Sequence, residues 1–125
     1  MLDHVSIGVP DISAARAFYD AVFAPLGYRR LYEGDGYAGY GDLHPQFWLN
    51  TSPHPVPPDP RSGLHFSFRA ASRKAVDDFY VAGLEAGGKD NGKPGLRPDY
   101  GATYYAAFLV DPNGYRIEAH TEAAP

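Results

Sequence analysis

The chain contains no cysteine. Disulfides and thiolate metal centres are therefore excluded, and any metal ion must be held by nitrogen and oxygen donors. It has no run of basic residues, and its net charge is −4 with a pI of about 5.6. The electrostatic footprint of a nucleic-acid binder is thus missing. No apolar run approaches the roughly 18 residues that a membrane span requires. The first residues, MLDHVSIGVPD, have neither the basic flank nor the apolar core of a secretory signal. These absences predict a soluble, cytoplasmic protein that engages neither nucleic acid nor membrane. What is present is enough for a fold: 125 residues, 44% of them apolar, form one compact domain with a real core.

The sequence repeats itself. With His4 set on His65, the next 23 positions align without a gap, and seven of the 24 pairs are identical. Chance would give about one or two. The physical pattern repeats as well. Residues 2–9 and 64–70 alternate with the strand period. Asp11 and Ser72 stand where a helix N-cap belongs. Ala15, Phe18, Tyr19, Val22 and Phe23 make one apolar helical face, and Val76, Phe79, Tyr80, Gly83 and Leu84 make its counterpart. Gly27 and Gly88 suit the left-handed position after each helix, and Pro25 helps stop the first.

Further strands follow each helix. Tyr28–Tyr32, Tyr37–Gly41 and Gln46–Thr51 are expected in the first half, with Gly-Asp-Gly (34–36) as a turn. Thr103–Val110 and Tyr115–His120 are expected in the second, joined by the hairpin signal Asp111-Pro112-Asn113-Gly114. The Gly- and Pro-rich stretch 87–100 reads as a long binding loop with room for a short strand. Five prolines in SPHPVPPDPRSG predict an extended, semi-rigid connection. The domain thus divides into module one (1–51), a linker (52–62) and module two (63–120).

Strand parity then places the polar residues. If Val5, Ile7 and Val9 meet a helix, His4 and Ser6 face the other way. If Leu64, Phe66 and Phe68 pack inward, His65, Ser67 and Arg69 face out. If Tyr115, Ile117 and Ala119 pack inward, Arg116, Glu118 and His120 face out. Two imidazoles and a carboxylate on one face are a common donor set for Zn, Ni, Mn, Fe or Co. Tyr104 and Tyr105 are neighbours on a strand, so one faces the site and the other the core. Tyr100 lies in the long loop. Trp48 supplies an apolar wall with one N–H donor.

LDHVSIGVPDISAARAFYDAVFAPLGY, GLHFSF and FLVDPNGYRIEAH together resemble the vicinal oxygen chelate superfamily. That superfamily contains glyoxalase I, bleomycin-resistance proteins, fosfomycin-resistance thiol transferases and extradiol dioxygenases. The resemblance covers essentially the whole chain. It implies an α+β fold of tandem βαβββ modules, with helices on the outer face of a cupped mixed sheet, and a homodimer. It implies metal ligands at His4, His65 and Glu118, with a fourth position near Trp48. There the sequence departs from glyoxalase I, which has a glutamate serving as ligand and base; an indole cannot ligate, and Asn50 is one strand step further along. The fosfomycin enzymes match better at this place, but their serine-rich potassium loop is missing, which argues against fosfomycin as substrate.

The activity implied is that of a metal-dependent lyase, isomerase or thiol transferase. Its substrate would chelate the metal through oxygen, with a thiol such as glutathione as the co-substrate class. Glu118 and Tyr104 are the catalytic candidates, and Ser6, Trp48, Asn50, Tyr100 and Tyr105 the substrate-binding ones. The alternative is a small-molecule binding protein of the bleomycin-resistance type. The third reading is extradiol dioxygenation, with His120 and Tyr104 as its second-sphere pair.

Overall fold

The structure, a computed structural model, describes residues Met1–Pro125. Module one runs β1 (Val5–Val9), α1 (Ile12–Phe23), a 3-10 turn (Ala24–Leu26), β2 (Arg29–Gly34), β3 (Tyr37–Gly41) and β4 (Pro45–Thr51). Module two runs β5 (Phe66–Arg69), α2 (Arg73–Glu85), β6 (Lys89–Leu96), β7 (Tyr105–Val110) and β8 (Arg116–Thr121). The strands make two four-stranded mixed sheets, ordered β1-β4-β3-β2 and β5-β8-β7-β6. The first strand of each sheet is parallel to its last, and the remaining pairs are antiparallel. The architecture is therefore α+β and built of βαβββ units. β1 and β5 each keep one unpaired edge.

Both helices start as expected. Asp11 accepts from Ala14 N at 3.1 Å, and Ser72 accepts from Ala75 N at 3.1 Å, which satisfies N–H groups that have no intrahelical partner. Gly27 ends the first helical segment at φ 82°. After α2 the left-handed residue is Gly87 (φ 102°), not Gly88; Gly88 N instead donates to Gly83 O at 2.8 Å. α1 is extended by a 3-10 turn (Ala24–Leu26) and α2 is not, so the reversal after α2 falls one residue earlier than the repeat register predicts.

The helices pack on each other and cover one face of both sheets. Phe18, Tyr19, Val22, Phe23, Val76 and Phe79 are almost wholly buried in one core shared by the modules. Each such aromatic or aliphatic side chain contributes about 1.5–3 kcal/mol. Leu84, expected on the inner face of α2, is exposed, as is Leu64 before β5. A polar clamp joins the modules: the Tyr19 hydroxyl donates to Asp111 Oδ2 at 2.6 Å, 92 residues away, and Tyr115 donates to Gly8 O at 2.7 Å. Burial pushes the Asp111 carboxyl up and the Tyr19 hydroxyl well up. No helix is long and apolar enough to cross a membrane.

Stretch 87–100 is mostly strand. β6 pairs with β7 across two irregularities, between Asp90 and Gly92 and between Gly92 and Gly95. Three glycines or prolines inside Lys89–Leu96 hide this strand from the period-2 signal.

Candidate functional site

The last strand of module two carries the site. Ile117 and Ala119 point into the core, so Glu118 points the other way. It is nonetheless only 2% exposed, because side chains on its own face cover it. Its register partners are Ser67 on β5 and Phe108 on β7. The Tyr104 hydroxyl donates to Glu118 Oε2 at 2.5 Å, and His65 Nε2 lies 3.0 Å from Oε1. An ionised carboxylate only accepts, so the imidazole donates from Nε2. Burial, then the hydrogen bond to Glu118, pushes the Tyr104 hydroxyl up to about 12. His120 stacks flat on the Tyr104 ring, with centroids 4.3 Å apart and planes at 11°, and its Nδ1 stands 3.5 Å from Ser67 Oγ. Tyr100 meets Tyr104 edge-on at 5.3 Å.

Of these groups His65, Tyr100, Tyr104 and Glu118 border a cavity of about 510 Å3, together with Leu64 and Phe108. Asn91 and Arg116 border it as well. A wider cleft of about 830 Å3 opens between the modules. His4, His65 and His120 border it, over a floor of Phe23, Phe47, Phe66 and Phe68.

Two of the three expected metal donors therefore meet, and the third does not. His65 and Glu118 are at hydrogen-bond distance. His4 lies before β1 in the other module, where its Nδ1 pairs with Asp3 Oδ1 at 2.7 Å. No three His, Asp or Glu side chains converge closely enough to hold an ion. The donor chemistry of His65 and Glu118 fits a divalent ion that accepts nitrogen and oxygen, but a single chain brings it only two of the three.

The other candidates divide. Tyr104 and Tyr100 belong to the cavity. Tyr105 faces the opposite way: its hydroxyl donates to Asp77 Oδ1 on α2 at 2.6 Å, and Arg73 lies over its ring. It is thus a helix–sheet contact and not part of the cavity wall, because adjacent strand residues alternate. Ser6 and Trp48 are register partners on β1 and β4, and Gly8 and Asn50 follow on the same face. None of these four borders either cavity. Trp48 is stacked with Tyr32 at 6.1 Å and tilted against Tyr37 at 6.3 Å. Gly39 makes room for it, since a β-carbon there would meet the indole at 2.7 Å. Asn91, Phe108 and Leu64 went unrecognised in the sequence. The register of β6 and β8, which would have found the first, is not readable there.

The family model described as Glyoxalase/Bleomycin resistance protein/Dioxygenase superfamily matches residues 1–119. The chain belongs to that superfamily. Its members bind small-molecule substrates, often use divalent metals and are often dimers. A glyoxalase/bleomycin resistance protein from Albidiferax ferrireducens T118 is 31% identical, with a TM-score of 0.84 over 96% of this chain and 98% of that one. A glyoxalase/bleomycin resistance protein/dioxygenase family enzyme from Burkholderia phytofirmans PsJN is 19% identical, with a TM-score of 0.74 over 97% and 98%. The genomically encoded fosfomycin resistance protein FosX from Listeria monocytogenes shares the fold at 15% identity, with a TM-score of 0.71 over 96% and 91%. No curated protein matches the chain.

Proposed function

We propose that the protein is a divalent-metal-dependent enzyme of the lyase, isomerase or transferase type, working on a small oxygen-bearing molecule as a homodimer. The observation that carries this reading is Glu118: a carboxylate 2% exposed, with no Lys or Arg beside it and only a tyrosine and a half-exposed imidazole as partners. Buried carboxylates are ordinarily paired with a cation or coordinate a metal. His65 and Glu118 would hold the ion, with His4 of the partner subunit as third donor. The free edges of β1 and β5, and the aromatic cleft beside them, support assembly at that place. When bound, Zn, Ni, Mn or Fe supplies Lewis-acid polarisation of a substrate oxygen.

The chain's own groups supply the rest. Tyr104 keeps its proton and donates it in a hydrogen bond, orienting Glu118. His120 braces the Tyr104 ring. Leu64 and Phe108 exclude water from one side of the cavity. Glu118 is the candidate base once it leaves the metal, and a thiol co-substrate such as glutathione is the class a transferase would add.

The test is metal content by elemental mass spectrometry, for the wild type and for His4→Ala and His65→Ala. One ion per chain, lost in both variants, is expected. A mixture of His4→Ala and Glu118→Ala subunits should regain part of the metal, since one of its two sites would be intact. Failure of the wild type to bind added Zn, Ni, Mn or Fe(II) would remove the enzyme reading.

A second reading has its own observation. Trp48, Tyr32 and Tyr37 form an aromatic surface on the open face of module one, with Tyr32 and Tyr37 exposed. A binding protein without turnover would use such a surface. Recovery of an unaltered ligand at equal mass from metal-free protein favours it.

A further inference from the structure

The far end of the module-two cavity is built for an anion. Arg116 and Glu118 are next-but-one residues on β8, so their side chains leave the same face about 7 Å apart. Arg116 borders the cavity, and it has no carboxylate partner. Its one side-chain hydrogen bond goes from Nη1 to Asn91 Oδ1 at 3.0 Å. An amide fixes the direction of a guanidinium without neutralising it. An aspartate at that place would do both.

The neighbouring charges agree. Asp90, next in sequence to Asn91, is engaged elsewhere: it accepts from Gly92 N at 2.9 Å. Arg97 lies against the Phe108 ring at 5.2 Å and is occupied by the carbonyls of Lys93 and Gly95. It adds positive charge near this end of the cavity while leaving Arg116 free to bind. Glu118 is the one carboxylate bordering the cavity, and it stands about 7 Å along β8 from Arg116. Leu64 and Phe108 add apolar surface to the wall, Phe108 directly beside Glu118 in register, and the spacing of about 7 Å between Arg116 and Glu118 suits a chain of roughly three or four carbons.

We infer that the cavity takes a small substrate with a terminal oxyanion, and that Arg116, held by Asn91, receives it while the reacting oxygen stands at His65 and Glu118. This deepens the reading of the cavity as a substrate site and rests on that reading. It does not rest on the metal. The guanidinium keeps Nε and Nη2 for the ligand, a fork that suits two oxygens of a carboxylate or a phosphate. Arg116 is then the residue that sets specificity for acids over their neutral analogues.

Three probes test it by solution NMR on the 125-residue protein, following the backbone amides of the cavity residues in every variant and the Arg116 side-chain N–H where it is present. They are 4-hydroxybutyrate, its neutral amide 4-hydroxybutyramide, and 3-hydroxypropylphosphonate. The acid should bind at least about tenfold more tightly than the amide. Arg116→Gln should remove that preference, while Arg116→Lys keeps part of it. Asn91→Ala should weaken the acid and leave the amide unchanged. A tighter phosphonate than carboxylate identifies the substrate as a phosphate or phosphonate, and the reverse identifies a carboxylic acid. Equal binding of acid and amide to the wild type, or no binding of either acid, overturns the inference. The acid–amide comparison uses the wild type alone, so a variant that fails to fold does not obscure it. Metal content measured on the same samples separates the two ideas. Metal bound with no acid preference sinks the role of Arg116 only. An acid preference that depends on Arg116 in protein that never takes up metal sinks the metal reading only.

Discussion

Tyr104→Phe removes one oxygen atom and almost nothing else. The ring stays, so its flat stack on His120 and its edge contact with Tyr100 stay. What is lost is a 2.5 Å hydrogen bond to Glu118 Oε2, in a place where water does not replace it because the carboxylate is 2% exposed. A hydrogen bond to a charged acceptor is worth about 1.5–3 kcal/mol. For a chain of this size that corresponds to a melting temperature lower by roughly 6–12 °C. In a Glu118→Gln background the acceptor is neutral, and the same substitution should cost only about 0.5–1.5 kcal/mol. The coupling between the two positions is then about 1 kcal/mol or more, well outside the error of a double-mutant cycle. Urea denaturation of the four proteins in EDTA measures all three quantities. If Tyr104→Phe costs less than about 0.5 kcal/mol, or costs the same with Gln at 118, the buried carboxylate does not depend on Tyr104. Glu118 would then carry no buried charge that a metal ion is needed to balance.

Other consequences can be checked separately. A divalent ion at 100 times its dissociation constant should stabilise the wild type by about 2.7 kcal/mol and leave His65→Ala unaffected, as read by thermal melts with and without metal. Tyr19→Phe should lose about 1.5–3 kcal/mol through the severed bond to Asp111, and an unchanged urea midpoint would show that the two modules do not need this clamp. Asp111 is held above its ordinary 3.8 by burial, so the native state keeps that proton to higher pH than the unfolded chain does. Its contribution therefore falls as pH rises through the window just above 3.8, and the stability of Asp111→Asn relative to wild type should improve across it. A difference that stays constant between pH about 3.5 and 7 contradicts that. Gly83→Ala would drive a methyl group into Leu109 and against Val22, at a cost of about 1–3 kcal/mol despite the better helix propensity of alanine.

Much of the fold was legible because it depends on periodicity. The strand alternation of residues 2–9 and 64–70, the caps Asp11 and Ser72, and the apolar helix faces are all local patterns. So was the left-handed Gly27. The β6 strand was not legible, because Gly92, Pro94 and Gly95 interrupt its alternation, and the irregular pairing with β7 absorbs them. Leu84 and Leu64 were assigned to the interior by period alone. Both are exposed, Leu64 ahead of β5 and Leu84 at the last turn of α2, where an element's end leaves the core.

For the site, the sequence by itself determined composition and side. An absence of cysteine limits donors to nitrogen and oxygen, and strand parity sends His65, Glu118 and Arg116 out of the same sheet face. It also required that Tyr104 and Tyr105 part company, without saying which goes where. Only the tertiary structure decided the rest. It put Tyr104 on Glu118 and Tyr105 on Asp77, brought Asn91 to Arg116 across 25 residues, and left His4 paired with Asp3 without converging on His65 and Glu118. The physical reason is that alternation is a property of one strand, whereas a site is made by strands meeting. Which edges meet depends on core packing and on the free edges of β1 and β5, and neither is written in the period of any single segment.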